Sequence, residues 1–240
     1  MELLGFLAII ALAAILQGIT GFGFALIAAP LALLFVDKSA AVVALTFVSI
    51  ALNALLLWRV RGAIDLRQFR TLFIASLFGL PIGLAILKTI DLHTLRVLVG
   101  GVSVLFAFLL YRKVRLAVRS GHAVTLAGFL SGVLHTSMSM SGPPVALLLA
   151  GRDTEKNAAR RTFAAFFLAM SLFSVLLFAA TRTLNQDNLT LGLWGIPAAL
   201  FGGYIGVRFA HKVSQRQFTA LVLALVCASG IITIYSGLMK

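Results

Sequence analysis

The chain has 240 residues, of which 61% are hydrophobic and only 11% charged. Soluble domains carry roughly a quarter charged residues, so this composition excludes a water-soluble globular protein and places the chain in a lipid bilayer. The net charge of +13 would point to nucleic acid in a soluble protein; in a membrane protein Lys and Arg collect in cytoplasmic loops, and no nucleic-acid partner is expected.

Taken in chain order, charged residues cut the sequence into eight long uncharged runs. They are Leu3–Val36, Ser39–Trp58, Thr71–Leu87, Val97–Tyr111, Ser120–Gly151, Thr162–Thr181, Asn188–Val207 and Gln217–Met239. The first lacks a basic leader and a small-residue cleavage signal, so Met1–Leu16 reads as mature protein and not a signal peptide. Six runs suit single helical spans of about 20 residues; Leu92–Leu95 extends the short Val97–Tyr111 run past Arg96. The first and fifth runs, 34 and 32 residues long, are too long. One straight helix of 34 residues would reach about 51 Å, against a hydrocarbon core of about 30 Å. Each must break or fold back.

The distribution of Lys and Arg decides between these. If each long run crosses once, the positive charges divide equally between the two sides. If each returns to the side it entered from, the loops at Arg59–Arg70, Arg112–Arg119, Arg152–Arg161 and Arg208–Arg216 share one side with 15 positive charges. Lys38, Lys88, Arg96, Arg182 and Lys240 make 5 on the other. The second sorting has the asymmetry that a membrane topology carries, and it puts both termini on the non-cytoplasmic side. The expected depth of the long runs is half the bilayer, with arms Leu3–Leu16 and Phe24–Val36 of about 20 Å each meeting near the midplane.

The order long, short, short, short then repeats. The expected fold is an all-α integral membrane protein made of two inverted repeats. Each is a broken or re-entrant helical hairpin followed by three transmembrane helices. Residues 1–118 hold a hairpin over 3–36 and spans at about 39–58, 71–88 and 92–111; residues 119–240 hold a hairpin over 120–151 and spans at about 160–181, 188–208 and 216–238. Gly18 and Pro30 are 12 apart in one break, as Gly132 and Pro144 are in the other, and "GLPIG" at Gly79–Gly83 has a partner in "GGYIG" at Gly202–Gly206. These last glycines read as packing contacts between helices.

The breaks carry the chemistry. Inverted repeats with broken segments in matching positions mark secondary transporters, whose substrate sits where the breaks meet. Irregular backbone at that depth is tolerated only against protein or a water-filled cavity. "LQGITGFGF" offers Gln17, Gly18, Thr20, Gly21 and Gly23, and "SGVLHTSMSMSGPP" offers His135, Thr136, Ser137, Ser139, Ser141 and Gly142. Pro143 and Pro144 fit the first turn of a helix, with Ser141 as its cap. A helix start has unpaired N–H groups and about half a positive charge. Two such starts facing each other make an anion site with no full positive charge. The Arg152–Arg161 loop reads as a solvated cytoplasmic face. No carboxylate lies within any run, and one cysteine with no ligand spacing leaves no metal site, so neither a cofactor nor enzymatic acid–base chemistry is expected. The partners expected are a small anion and the lipid bilayer.

"GITGFGFALIAAPLALLF", "AVVALTFVSIALNALLLW" and "GFLSGVLHTSMSMSGPPVALLL" resemble the TauE/SafE family of sulfite-exporter-like transporters along the whole chain. Gly21, Gly23 and Pro30 keep the frame of that family's first motif; Phe22, Phe24 and Ala25 replace some of its glycines, and "SMSMSG" replaces the second glycine run. The resemblance implies a bacterial inner-membrane transporter for sulfite, sulfonates or related organosulfur or carboxylate anions, with Phe22 and Phe24 tuning substrate choice. The other reading is a passive anion channel or a membrane subunit of a larger complex.

Overall fold

The computed structural model describes residues 2–20, 23–112, 121–150, 156–209 and 215–239. Every regular element among them is an α-helix: α1 Glu2–Thr20, α2 Phe24–Ala32, α3 Lys38–Arg59, α4 Leu66–Thr89, α5 Leu92–Tyr111, α6 Gly121–Met138, α7 Gly142–Ala150, α8 Lys156–Ala180, α9 Gln186–Phe209 and α10 Gln215–Leu238. Five of them, α3, α4, α5, α8 and α9, are long and apolar enough to cross a membrane by length and composition.

Helix boundaries follow local chemistry. The helix α4 starts five residues ahead of its apolar run because Asp65 accepts the Gln68 backbone N–H at 3.0 Å and caps it. Arg67 and Arg70 then occupy an exposed first turn, where charge is hydrated. At α5, Asp91 accepts the Thr94 N–H and hydroxyl. That hydroxyl, then the N–H, hold the Asp91 carboxyl below its usual range. Asp91 thereby fixes the start of α5.

Close glycine contacts set the direction of each helix. Gly202 lies against Ala11 and Gly206 against Ile15, so α1 runs parallel to α9. Gly192 meets Ala44 and Gly195 meets Val48, so α3 is parallel to α9 as well. Gly128 meets Leu72 and Gly132 meets Ser76, which makes α6 parallel to α4. The start of α8 touches the start of α4, where the Asp65 N–H donates to Thr162 Oγ1, and the Lys88 Nζ near the end of α4 donates to the Thr181 carbonyl after α8. These two are also parallel. Gly237 meets His93 while Gly230 meets Gly100, so α5 and α10 are antiparallel. Thus α1 and α3 point the same way and α2 carries the chain back between them; α6, α7 and α8 do the same in the other half. Without a hydrophobic force between helices in lipid, such backbone-to-backbone approach is what small residues supply. The glycines of Gly79–Gly83 and Gly202–Gly206 serve it.

The two arms of each turn are unequal. α1 and α6 have 19 and 18 residues, α2 and α7 nine each, so about 28 Å answers about 14 Å where two equal arms were expected. α1 stays helical past Leu16 because α9 receives it: a Cβ on Gly18 would lie 2.6 Å from the Gly203 carbonyl oxygen. α6 stays helical to Met138 because the Ser137 hydroxyl donates to Val133 O and the Thr136 hydroxyl to Gly132 O and Leu80 O. These hydroxyls close on carbonyls and leave the helix intact. Pro30 does not end α2; its carbonyl accepts the Thr233 hydroxyl from α10 at 2.9 Å.

Among the described residues, five basic side chains hold carbonyls at the ends of helices other than their own. Arg160 reaches Ile19 O at the end of α1, Arg96 Leu33 O at α2, Arg161 Val60 O at α3, Lys38 Ile90 O at α4 and Lys88 Thr181 O at α8. A cation at a helix C-terminus meets the negative end of the dipole and is worth about 0.3–1 kcal/mol. Lys38, Lys88 and Arg96, three of the few cations on the sparsely charged side, are thus occupied by helix ends.

Candidate functional site

At the first break α1 ends at Thr20 and α2 begins at Phe24; at the second α6 ends at Met138 and α7 begins at Gly142. At the first, Gly23 precedes α2 with φ 100° and no side-chain cap. That left-handed conformation suits glycine, and Gly23 is itself the N-cap of α2. At the second, Ser139 takes φ 57°. Its N–H donates to His135 O, and the Met140 N–H reaches back to Leu134 O. The left-handed residue closes α6 as a C-terminal cap does.

Both short helices begin in the middle of the bundle. The Leu33 carbonyl at the end of α2 is held by Arg96 near the start of α5. α2 therefore starts about 14 Å in from that end. Ser131 lies level with Ser76, midway along α4, because the adjacent Gly132 packs on Ser76. The Ser131 hydroxyl donates to the Ser141 carbonyl at 3.0 Å, so α7 starts at mid-depth too. α2 and α7 touch one another. A Cβ built on Gly23 or on Gly142 meets nothing within 4 Å; open space lies in front of both helix starts, although Gly23 is buried.

Polar groups without partners lie in the last turn of α6 and at the second break. Both ring nitrogens of His135 and the Ser139 hydroxyl have no hydrogen-bond partner, and each residue is 1% exposed. Ser131 and His135 are one turn apart on one face of α6. Helical side chains tilt toward the helix N-terminus, so the imidazole reaches back toward the Ser131–Ser141 contact and the start of α7. A buried polar group left unpaired costs about 1–3 kcal/mol, and an ionisable one within a membrane marks function by default.

The other expected residues divide. Gln17 is buried in the last turn of α1, and Ser141 and Gly142 are half-buried at the start of α7. Gly18 faces α9, and the Thr136 and Ser137 hydroxyls are committed to backbone carbonyls. Gly21 and Phe22, with the side chain of Thr20, lie outside the described residues. The residues that correspond between the halves differ from the glycine–proline spacing of the sequence. Gly206 packs on Ile15 and Gly18 as Gly83 packs on Val133 and Thr136. Gln17 therefore matches His135, one turn further along than the pairing of Gly18 with Gly132 implies.

Sequence reasoning missed Arg160. In the sequence it reads as part of a solvated loop, but its guanidinium donates to Ile19 O at 3.0 Å, and its Nε is buried without a partner. A full positive charge therefore stands beside the first break. No signal marks this contact, because the two residues are 141 positions apart. A separate cavity of about 570 Å³ opens beyond the end of α2, lined in part by Asp37, Arg96, Asp187 and Asn188. It lies at the end of the bundle, away from the breaks.

Residues 6–233 match the family model described as Sulfite exporter TauE/SafE. No curated protein and no solved structure matches the chain.

Proposed function

The chain belongs to the sulfite exporter TauE/SafE family, a family of membrane transporters, and from that premise we propose that it is a secondary transporter of sulfite or a related small sulfonate, organosulfur or carboxylate anion. The anion is held near the midplane between the starts of α2 and α7. The observation that carries this reading is the open space at Gly23 and Gly142, together with the unpartnered His135 and Ser139 in the last turn of α6 and the break that leads to α7. Helix starts offer N–H donors and partial positive charge to an anion; Gln17, Thr20, Gly21, Phe22 and Ser141 complete the wall. Thr136 and Ser137 back it from the α4 side.

Alternating access follows if the chain is two inverted repeats. Support comes from direction: α1, α3, α4 and α5 are each opposed by their counterparts α6, α8, α9 and α10. Rocking of one repeat against the other would expose the same mid-depth site to either side in turn. The cavity beside Arg96 serves as the outer vestibule. We assign both termini to the outside of the bacterial cytoplasmic membrane; support comes from the ends of α3, α5 and α9, which share the side rich in Lys and Arg.

Two measurements test this. Purified protein in proteoliposomes should take up radiolabelled sulfite with saturating kinetics above protein-free vesicles; flux that rises linearly with concentration removes the transporter reading in favour of a pore. In a Cys227→Ala background, Arg61→Cys should resist an impermeant maleimide in intact cells, while Gln186→Cys should be labelled. The reverse pattern turns the topology over.

A further inference from the structure

The site's hydrogen-bonding and charge balance specify more than "anion". We propose that it takes a small oxyanion in its singly charged form and rejects the dianion; this rests on the mid-depth site of the proposed function.

Charge is the first ground. The starts of α2 and α7 each contribute about half a positive charge, and the ends of α1 and α6 about half a negative charge each. These cancel. Arg160, held on Ile19 O at the end of α1 beside the first break, adds one positive charge to that balance. A monoanion balances it. A dianion leaves one negative charge unmatched where water is scarce, which is costly.

Hydrogen bonding is the second ground. The orphan groups at the second break are the two nitrogens of His135 and the hydroxyl of Ser139. A neutral imidazole offers one N–H donor and one bare nitrogen acceptor, and a hydroxyl offers both. Gln17, the counterpart of His135, has an amide with the same dual character. The sulfite dianion presents lone pairs on every side, so the bare imidazole nitrogen would face one, whereas an acidic proton or a methyl group in that place does not bring one. An oxyanion with one acidic proton has a donor for it.

No second charge supports an imidazolium. α6 packs against α4, α7, α3 and α8. α7 has no ionisable side chain. On α4, Arg67 and Arg70 are exposed at its start and Lys88 holds Thr181 O at its end. On α3, Lys38 holds Ile90 O and Arg59 stacks on Trp58 and Tyr204. On α8, Arg160 and Arg161 hold Ile19 O and Val60 O. None of these elements brings a carboxylate to the imidazole.

The test compares sulfite, whose second proton dissociates near neutrality, with methanesulfonate, a monoanion throughout. Uptake into proteoliposomes is measured with equal pH inside and out. The KM for total sulfite should rise about tenfold for each pH unit above that ionisation, while the KM for methanesulfonate stays level. His135→Gln, which keeps a donor and an acceptor but cannot titrate, should retain the sulfite profile; His135→Phe should lose uptake of both. A level sulfite KM, or one that falls with pH, overturns the proposal. So does a parallel rise for both anions, or a profile flattened by His135→Gln, because the histidine and not the substrate would then be titrating. Absence of protein-dependent flux of either anion instead sinks the transport reading, and this proposal with it.

Discussion

Gly128→Leu is expected to prevent the protein from forming a stable bundle. A Cβ at this position would lie 2.5 Å from the Leu72 carbonyl oxygen and 2.9 Å from the Leu72 Cα. Both are backbone atoms of α4, and neither can rotate aside as a side-chain tip does. Overpacking typically costs about 1–3 kcal/mol; a leucine wedged between two helix backbones belongs at the top of that range. No compensating burial exists, since lipid is as apolar as the helix face it replaces. At about 2–4 °C per kcal/mol for a chain of this size, melting in detergent should fall by roughly 10 °C, or monodisperse protein should be lost altogether. Gly101→Leu is the control. A Cβ there meets nothing within 4 Å, so it should melt with the wild type. Equal melting of Gly128→Leu and Gly101→Leu would mean that α4 and α6 are not packed as described.

That contrast also shows how far the sequence could be read. Charge spacing marks candidate spans because a charged side chain is expensive in hydrocarbon; α5 runs from Leu92 to Tyr111. The helix ends differ where charged residues continue a helix into water, as Arg67 and Arg70 do in α4. The helices run further into the breaks than composition suggests for another reason. Composition marks a residue as small or polar, and it does not say whether that smallness serves a turn or a neighbouring helix. Gly18 serves α9 and Gly132 serves α4, so both stay helical in stretches that looked like loop. The hydroxyls of Thr136 and Ser137 are equally ambiguous until their carbonyl partners are known. Arg160 was out of reach altogether, since only tertiary structure brings the start of α8 to the end of α1.

Gly142→Leu should have the opposite signature, a folded protein that does not transport. The position directly precedes Pro143, which with Pro144 presets the first turn of α7, and its φ is not in the left-handed region, so a side chain is tolerated by the backbone. A Cβ there meets nothing within 4 Å. The added side chain therefore enters open space and displaces no packed atom, and melting should stay within a degree or two of the wild type. What it does occupy is the volume in front of the α7 start, where the N–H groups face and toward which His135 reaches. Ångström-scale misplacement of bound groups is enough to cost on the order of 100-fold in rate, and a leucine fills several ångströms. Sulfite uptake should fall to the level of protein-free vesicles. Gly142→Ala, with only the Cβ, should fall between the two. Wild-type flux in a well-folded Gly142→Leu protein would take the space before α7 out of the anion's path and leave Gly23, at the start of α2, as the sole helix start facing it. Paired with Gly128→Leu, the experiment separates glycines that let helices meet from the glycine that leaves room for the anion.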